Sequence, residues 1–251
     1  MLKFKKSGIM ILSCGTPLAN MRCNLTIDEG VHKEIIFVYG YRLDPMEVFM
    51  KKEKFFSAKR ITGIAVLLAV VIVLQVFSSY IRIGATPISL VLVPIVLAGI
   101  VYGPVAGALL GFAFGLVVLM QGIIGVDGFT MILFNDHPLW TTLLCLGKGA
   151  AAGFLSGLTY KLVAKKNSYV ATFAASVVAP VTNTGLFILG ALCFLQDTLQ
   201  ANFVSGTSVV YFLVIVCAGV NFLVELAINL LVAPGLHTVY TAVEKQFKKR
   251  R

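Results

Sequence analysis

Two ionisable residues of this sequence lie deep inside long apolar stretches, Lys148 and Glu225. A charge in hydrocarbon is costly and faces a bundle interior or a wet cavity. At a helical rise of about 1.5 Å per residue, Lys148 falls roughly 15 Å from the outer end of its segment, and Asn183 and Asn221 fall roughly 18 Å from the outer ends of theirs. Glu225 lies one turn further in, on the face that carries Asn221 and Asn229. An ammonium and two carboxamides at one level form a floor for a polar ligand entering from outside. The alternative is a structural Lys–Glu or Asn–carbonyl network that holds helices together. The chemistry on offer is binding. One intramembrane carboxylate supplies no acid–base pair, and H-E-x-x-H and G-x-S-x-G are both absent. Without G-x-x-x-x-G-K-[ST] there is no phosphate cradle either, so the chain does not read as an ATPase.

The elements that position these residues follow from composition. The chain has 251 residues, 58% hydrophobic and only 13% charged, with a mean hydropathy of +0.92. A soluble domain carries roughly a quarter charged residues, so a polytopic membrane protein is the class that remains. Apolar segments approach the ~20 residues that a spanning helix needs. They run over about Ile61–Ser79, Pro87–Tyr102, Pro104–Ile123, Leu139–Val163, Tyr169–Leu195 and Ser208–Val232. The expected fold is an all-α bundle of six transmembrane helices. Gly103, Gly107, Gly111 and Gly115 recur at every fourth position, a spacing that lets backbones approach closely in lipid.

The net charge of +10 reports topology and not nucleic acid. Lys51, Lys52, Lys54, Lys59 and Arg60 precede the first segment, Lys161, Lys165 and Lys166 join the fourth to the fifth, and Lys245, Lys248, Lys249, Arg250 and Arg251 close the chain. All fall on one side, so the positive-inside rule makes both termini cytoplasmic. The outward loops hold further candidate contacts: Arg82 and Thr86 in the first, and Gln121, Asn135 and Trp140 in the long stretch from Gln121 to Trp140. Glycines hinge that stretch and aromatic residues let it cover a small molecule as a lid; the alternative is an interfacial loop with Phe129 and Trp140 at headgroup level. No metal or cofactor is expected, because Asp136-His137 lacks a third ligand and the five cysteines form no C-x-x-C.

Several features together resemble the substrate-binding S components of energy-coupling-factor vitamin transporters. They are six short helices with cytoplasmic ends, the A-x-x-x-A of Ala65 and Ala69, Ile83-Gly84-Ala85-Thr86-Pro87-Ile88-Ser89-Leu90, the Tyr102-Gly103-Pro104 turn followed by Gly107 and Gly111, and the Lys148–Gly153 stretch. The likeness covers about residues 55–245. It implies a non-enzymatic bundle in a bacterial plasma membrane that captures a vitamin on its outer face. It also implies partners: a transmembrane T subunit, docked through Ala65 and Ala69, and two cytoplasmic ATPase subunits. The texture is similar to pantothenate-type members, with riboflavin- and folate-type members as alternatives. An intramembrane enzyme and a ligand-free accessory protein are the competing classes.

Residues 1–49 stand apart as an N-terminal extension to a 50–251 membrane domain; they mix apolar and polar residues without a helical or strand period. Codons for Met46-Glu47-Val48 would spell a purine-rich ribosome-binding sequence just before Met50. We therefore expect translation to begin at Met50, the alternative being a genuine cytoplasmic arm. The N-terminal peptide of the native protein should map to Met50 or beyond, and any native peptide from within 1–49 would overturn this expectation.

Overall fold

The structure is a computed structural model that describes residues 11–14, 23–27, 31–35, 58–80, 82–83, 86–87, 90–204 and 208–248. Two compact units divide between Phe55 and Phe56. In the first, β1 (Ile11–Cys14), β2 (Cys23–Ile27) and β3 (Val31–Ile35) form an antiparallel meander in the order β1-β2-β3. The sequence reading finds no period there, yet Cys23-Asn24-Leu25-Thr26-Ile27 does alternate apolar with polar over one short strand.

The second unit is the helical bundle. Its elements are α1 (Ala58–Ser78), a hairpin of β4 (Arg82–Ile83) and β5 (Thr86–Pro87), α2 (Leu92–Tyr102), α3 (Pro104–Ile124), α4 (Gly128–Asp136), α5 (Pro138–Val163), α6 (Ser168–Phe194) and α7 (Gln196–Asn202). A last helical run follows: α8 (Val209–Tyr211), a π-helical stretch (Phe212–Gly219) and α9 (Val220–Lys248). Among the described residues, five helical spans are long and apolar enough to cross a membrane, and α2 is a shorter apolar helix. The all-α membrane bundle expected from the sequence is what forms.

Three departures from the expected segments have local causes. First, α2 begins at Leu92 rather than near Pro87. Pro94 lacks an amide proton and its ring clashes with a preceding turn, so the first turn of a helix is where it costs least. At ~1.5 Å per residue the helix then covers only about half of a ~30 Å hydrocarbon core. Second, the stretch between α3 and α5 is mostly helical. Gly125 ends α3 with φ 85°, and Asp127 starts α4 at its N-cap. Third, the last helix continues past Val232 to Lys248 with Pro234 inside it.

Glycine contacts between α3 and α5 set the centre. A Cβ on Gly107 would strike the Gly153 carbonyl, one on Gly111 the Gly149 carbonyl, and one on Gly115 the Cys145 carbonyl. The pairs step by four residues in opposite directions, which is an antiparallel ladder of touching backbones. Gly157 extends it onto α2, where a Cβ would lie 3.1 Å from the Gly99 Cα. Lipid tails are as apolar as leucine, so close van der Waals packing of this kind is what draws such helices together. The core around the ladder includes Leu92, Ile95, Leu110 and Phe114, all buried.

α1 lies at the rim. Val66, Val70, Val73 and Phe77 are exposed on it, as are Ala65 and Ala69. Its cytoplasmic-side end is held by Arg60, whose Nη2 donates to the Tyr102 carbonyl at 2.6 Å, and by Gly63, where any Cβ would overlap the Tyr102 hydroxyl.

The ladder yields a stability prediction. Gly111→Val and Gly153→Val should each lower the thermal midpoint in detergent, since overpacking costs about 1–3 kcal/mol or more. Gly147→Ala, where a Cβ meets nothing within 4 Å, should leave the midpoint in place. Equal midpoints for all three would refute the ladder as the packing centre.

Candidate functional site

A cavity lies between the ends of the helices opposite the Lys161–Lys166 junction. Its volume is about 90 Å³, room for roughly three water molecules at ~30 Å³ each. Small-molecule sites usually measure about 300–1,000 Å³, so the cavity as it stands is smaller than a typical ligand site.

The walls come from every long helix. Gln75 enters from α1, Phe114 and Val118 from α3, Lys148 from α5, and Asn183, Thr184 and Phe187 from α6. Cys217 and Ala218 come from the π-helical stretch, and Asn221 and Glu225 from α9. Asp127, Phe129 and Thr130 at the start of α4 close the top. Lys148 precedes Gly149 of the ladder and is turned from it by about 100° around the helix axis, which aims it away from α3 and toward α6.

The roof is apolar and stitched. Phe129 packs on Phe187 and Phe203 with ring centroids 6.0 and 5.0 Å apart, and Phe203 stacks on Phe212 at 5.7 Å. Thr130 donates its hydroxyl hydrogen to Asp127 Oδ2, and its methyl fits where Gly122 has no side chain. Thr141 donates to the Leu133 carbonyl at 2.8 Å, tying the C-terminal half of α4 to α5.

The floor is polar. Lys148 Nζ sits over the Phe187 ring, 5.0 Å from its centroid, a cation–π contact. Among the described residues it makes no ion pair, with Glu225 or with any other carboxylate. Asn221 Nδ2 donates to the Cys217 carbonyl at 3.3 Å, and Asn229 Nδ2 donates to the Glu225 carbonyl at 2.8 Å. The π-helical turn just above shifts the register of the side chains that follow, and such turns are frequent at functional sites. Among the described residues, the buried lining oxygens Gln75 Oε1, Asp127 Oδ1 and Asn183 Oδ1 accept no hydrogen bond. Desolvated acceptors of this kind are costly to leave unmet, so the cavity favours a guest with N–H or O–H donors.

Of the residues singled out in the sequence, Lys148, Asn183, Asn221 and Glu225 line this one cavity. Gln121 stands beside it and accepts a 3.1 Å hydrogen bond from Gln75 Nε2. Asn135 is exposed, on the face of α4 away from Phe129, Thr130 and Leu133. Trp140 stacks on Phe194 with a 3.9 Å centroid separation, outside the lining. The side chains of Arg82 and Thr86 lie outside the described residues. Gln75, Asp127, Thr130 and the three phenylalanines join the lining without having been singled out as contacts. For Gln75 a signal existed, as a carboxamide inside an otherwise apolar run.

A family model described as ECF transporter, substrate-specific component, matches residues 59–237. The matched stretch begins in α1 and ends in α9, and it takes in every wall of the cavity. No curated protein matches the chain.

Proposed function

The chain belongs to the family of substrate-specific components of ECF transporters, and on that premise we propose that it is the vitamin-capturing subunit of an ATP-driven importer. Its substrate on this reading is a small carboxylate-bearing vitamin of the pantothenate type. The family is one of transporter components and not of enzymes.

The observation that carries the reading is Lys148. Its ammonium borders the cavity without an ion pair among the described residues, and a carboxylate on the guest supplies the missing partner. The guest's hydroxyl and amide donors then face Gln75 Oε1, Asp127 Oδ1 and Asn183 Oδ1. The lining carries two carboxylates, Asp127 and Glu225, against one lysine. A purely anionic guest therefore fits less well than one with a single carboxylate and several donors, which is the pattern of pantothenate. Phe114, Phe129 and Phe187 support a second reading, a flat riboflavin- or folate-type ring stacked on the aromatic wall.

Capture on this scheme begins with α4 lifted. The guest displaces the few waters of the floor, and closure of Phe129 over it governs escape. The importing complex supplies the T subunit and two ATPases. Ala65 and Ala69, exposed along α1, offer the small-residue surface against which a partner helix packs closely. The setting is a bacterial plasma membrane, with both termini cytoplasmic.

Purification in detergent followed by mass spectrometry of any co-purified molecule, and titration with pantothenate, riboflavin and folate, tests the substrate. Lys148→Met should weaken pantothenate binding by about 2–4 kcal/mol, as expected when a buried charged partner is orphaned, with the empty protein's melting temperature unchanged. Undiminished affinity would return Lys148 to a structural role. For docking, Ala65→Trp or Ala69→Trp should abolish uptake while binding by the isolated subunit persists; loss of binding would mean that the stripe acts within the subunit.

A further inference from the structure

Gln75 occupies a position that no other residue of α1 shares. It is the α1 residue that lines the cavity, and only 3% of it is exposed. Its carboxamide is divided in use. Nε2 donates to Gln121 Oε1 on α3 at 3.1 Å, while Oε1 is buried and accepts no hydrogen bond among the described residues. The same helix presents Ala65 and Ala69 on its exposed side, nearer its other end.

The attachments of α1 are unequal along its length. Toward Arg60 it is held by backbone-level contacts, the Arg60–Tyr102 carbonyl bond and the fit of Tyr102 against Gly63. In the middle Val71 is fully buried. Toward Ser78 the neighbours change, and the Gln75 carboxamide hydrogen-bonds Gln121 of α3. Most of the remaining surface faces outward, with Val73, Val76 and Phe77 exposed.

We propose that the Gln75–Gln121 pair is a substrate-operated latch on the outer half of α1. In the empty protein the Gln75–Gln121 hydrogen bond ties that half to α3. A guest in the cavity adds a second, from its own N–H or O–H donor to Gln75 Oε1, and this fills the acceptor that burial has left unmet. Occupancy thus fixes the position of the helix that carries the small-residue stripe, with Gln75 as the contact on the cavity side. Coupling of this kind needs only a differential interaction of the guest with the two positions of α1. The guest-dependent half of the inference rests on the proposed substrate reading, and the empty-protein half does not.

Hydrogen exchange read by mass spectrometry, on the full chain in nanodiscs, tests both halves with Gln75→Leu and Gln121→Leu. Without any added vitamin, amides of Val70–Tyr80 should exchange several-fold faster in both variants than in the wild type, while those of Arg60–Leu67 stay the same. Saturating pantothenate should then protect Val70–Tyr80 in the wild type and lose at least half of that protection in Gln75→Leu. Unchanged exchange in both empty variants would overturn the latch, as would full pantothenate protection in Gln75→Leu. If the wild type binds no pantothenate while the empty variants still differ, the latch stands and the substrate reading falls. Two variants that break the same bond from opposite sides guard against misfolding of either.

Discussion

Backbone contact between α3 and α5 is the constraint on which the rest of this bundle depends. In lipid no hydrophobic force gathers helices, so their association rests on how closely they approach. Gly107 against Gly153 and Gly111 against Gly149 bring backbone directly onto backbone at those points. Once the two axes are fixed, the residue beside each glycine is fixed too. Lys148 follows directly from Gly149, and Phe114 is buried next to Gly115. Chemistry and packing are therefore written in adjacent letters, and the site inherits its geometry from residues that have no side chains.

A second constraint is polar satisfaction away from water. The buried polar residues Gln75, Asp127, Asn183, Asn221 and Glu225 come from four separate helical elements, yet they border one small cavity. Convergence of this kind would be expensive as pure scaffolding, because each group gives up solvation. Some of the cost is met locally, by Asn221 on the Cys217 carbonyl and by Thr130 on Asp127. The unmet remainder falls on oxygen acceptors beside a single ammonium. That asymmetry, more than the size of the cavity, gives the site its chemical preference.

Much of this was legible in the sequence. Length and apolarity located the five long spans to within a few residues at most ends, and depth counting brought Lys148, Asn183 and Asn221 to one level. What escaped had specific reasons. Hydropathy cannot see that Pro94 costs least in a first turn, so α2 was expected several residues too early. The stretch from Gln121 to Trp140 reads as a mixed loop because α4 is short. Only its register decides that Phe129 and Thr130 face inward while Asn135 faces out. Gln75 was overlooked because one amide in a long apolar run looks like noise until a cavity is found beside it. The length of the last helix was missed because its final turns are polar and carry no membrane signal.

That last helix has a mechanical meaning. From Val209 to Lys248 the helical run is unbroken, on the order of 60 Å at ~1.5 Å per residue against a ~30 Å hydrocarbon core. Taken as a rigid rod pivoted at Glu225, it has a shorter arm of roughly 24 Å back to Val209 and a longer one out to Lys248. From Glu225 to Lys248 the lever is roughly 35 Å, so a rigid tilt of about 5° displaces its far end by about 3 Å. A rearrangement too small to notice around a bound molecule becomes a step the size of a hydrogen bond on the other side of the bilayer, softened only by the joint at Pro234.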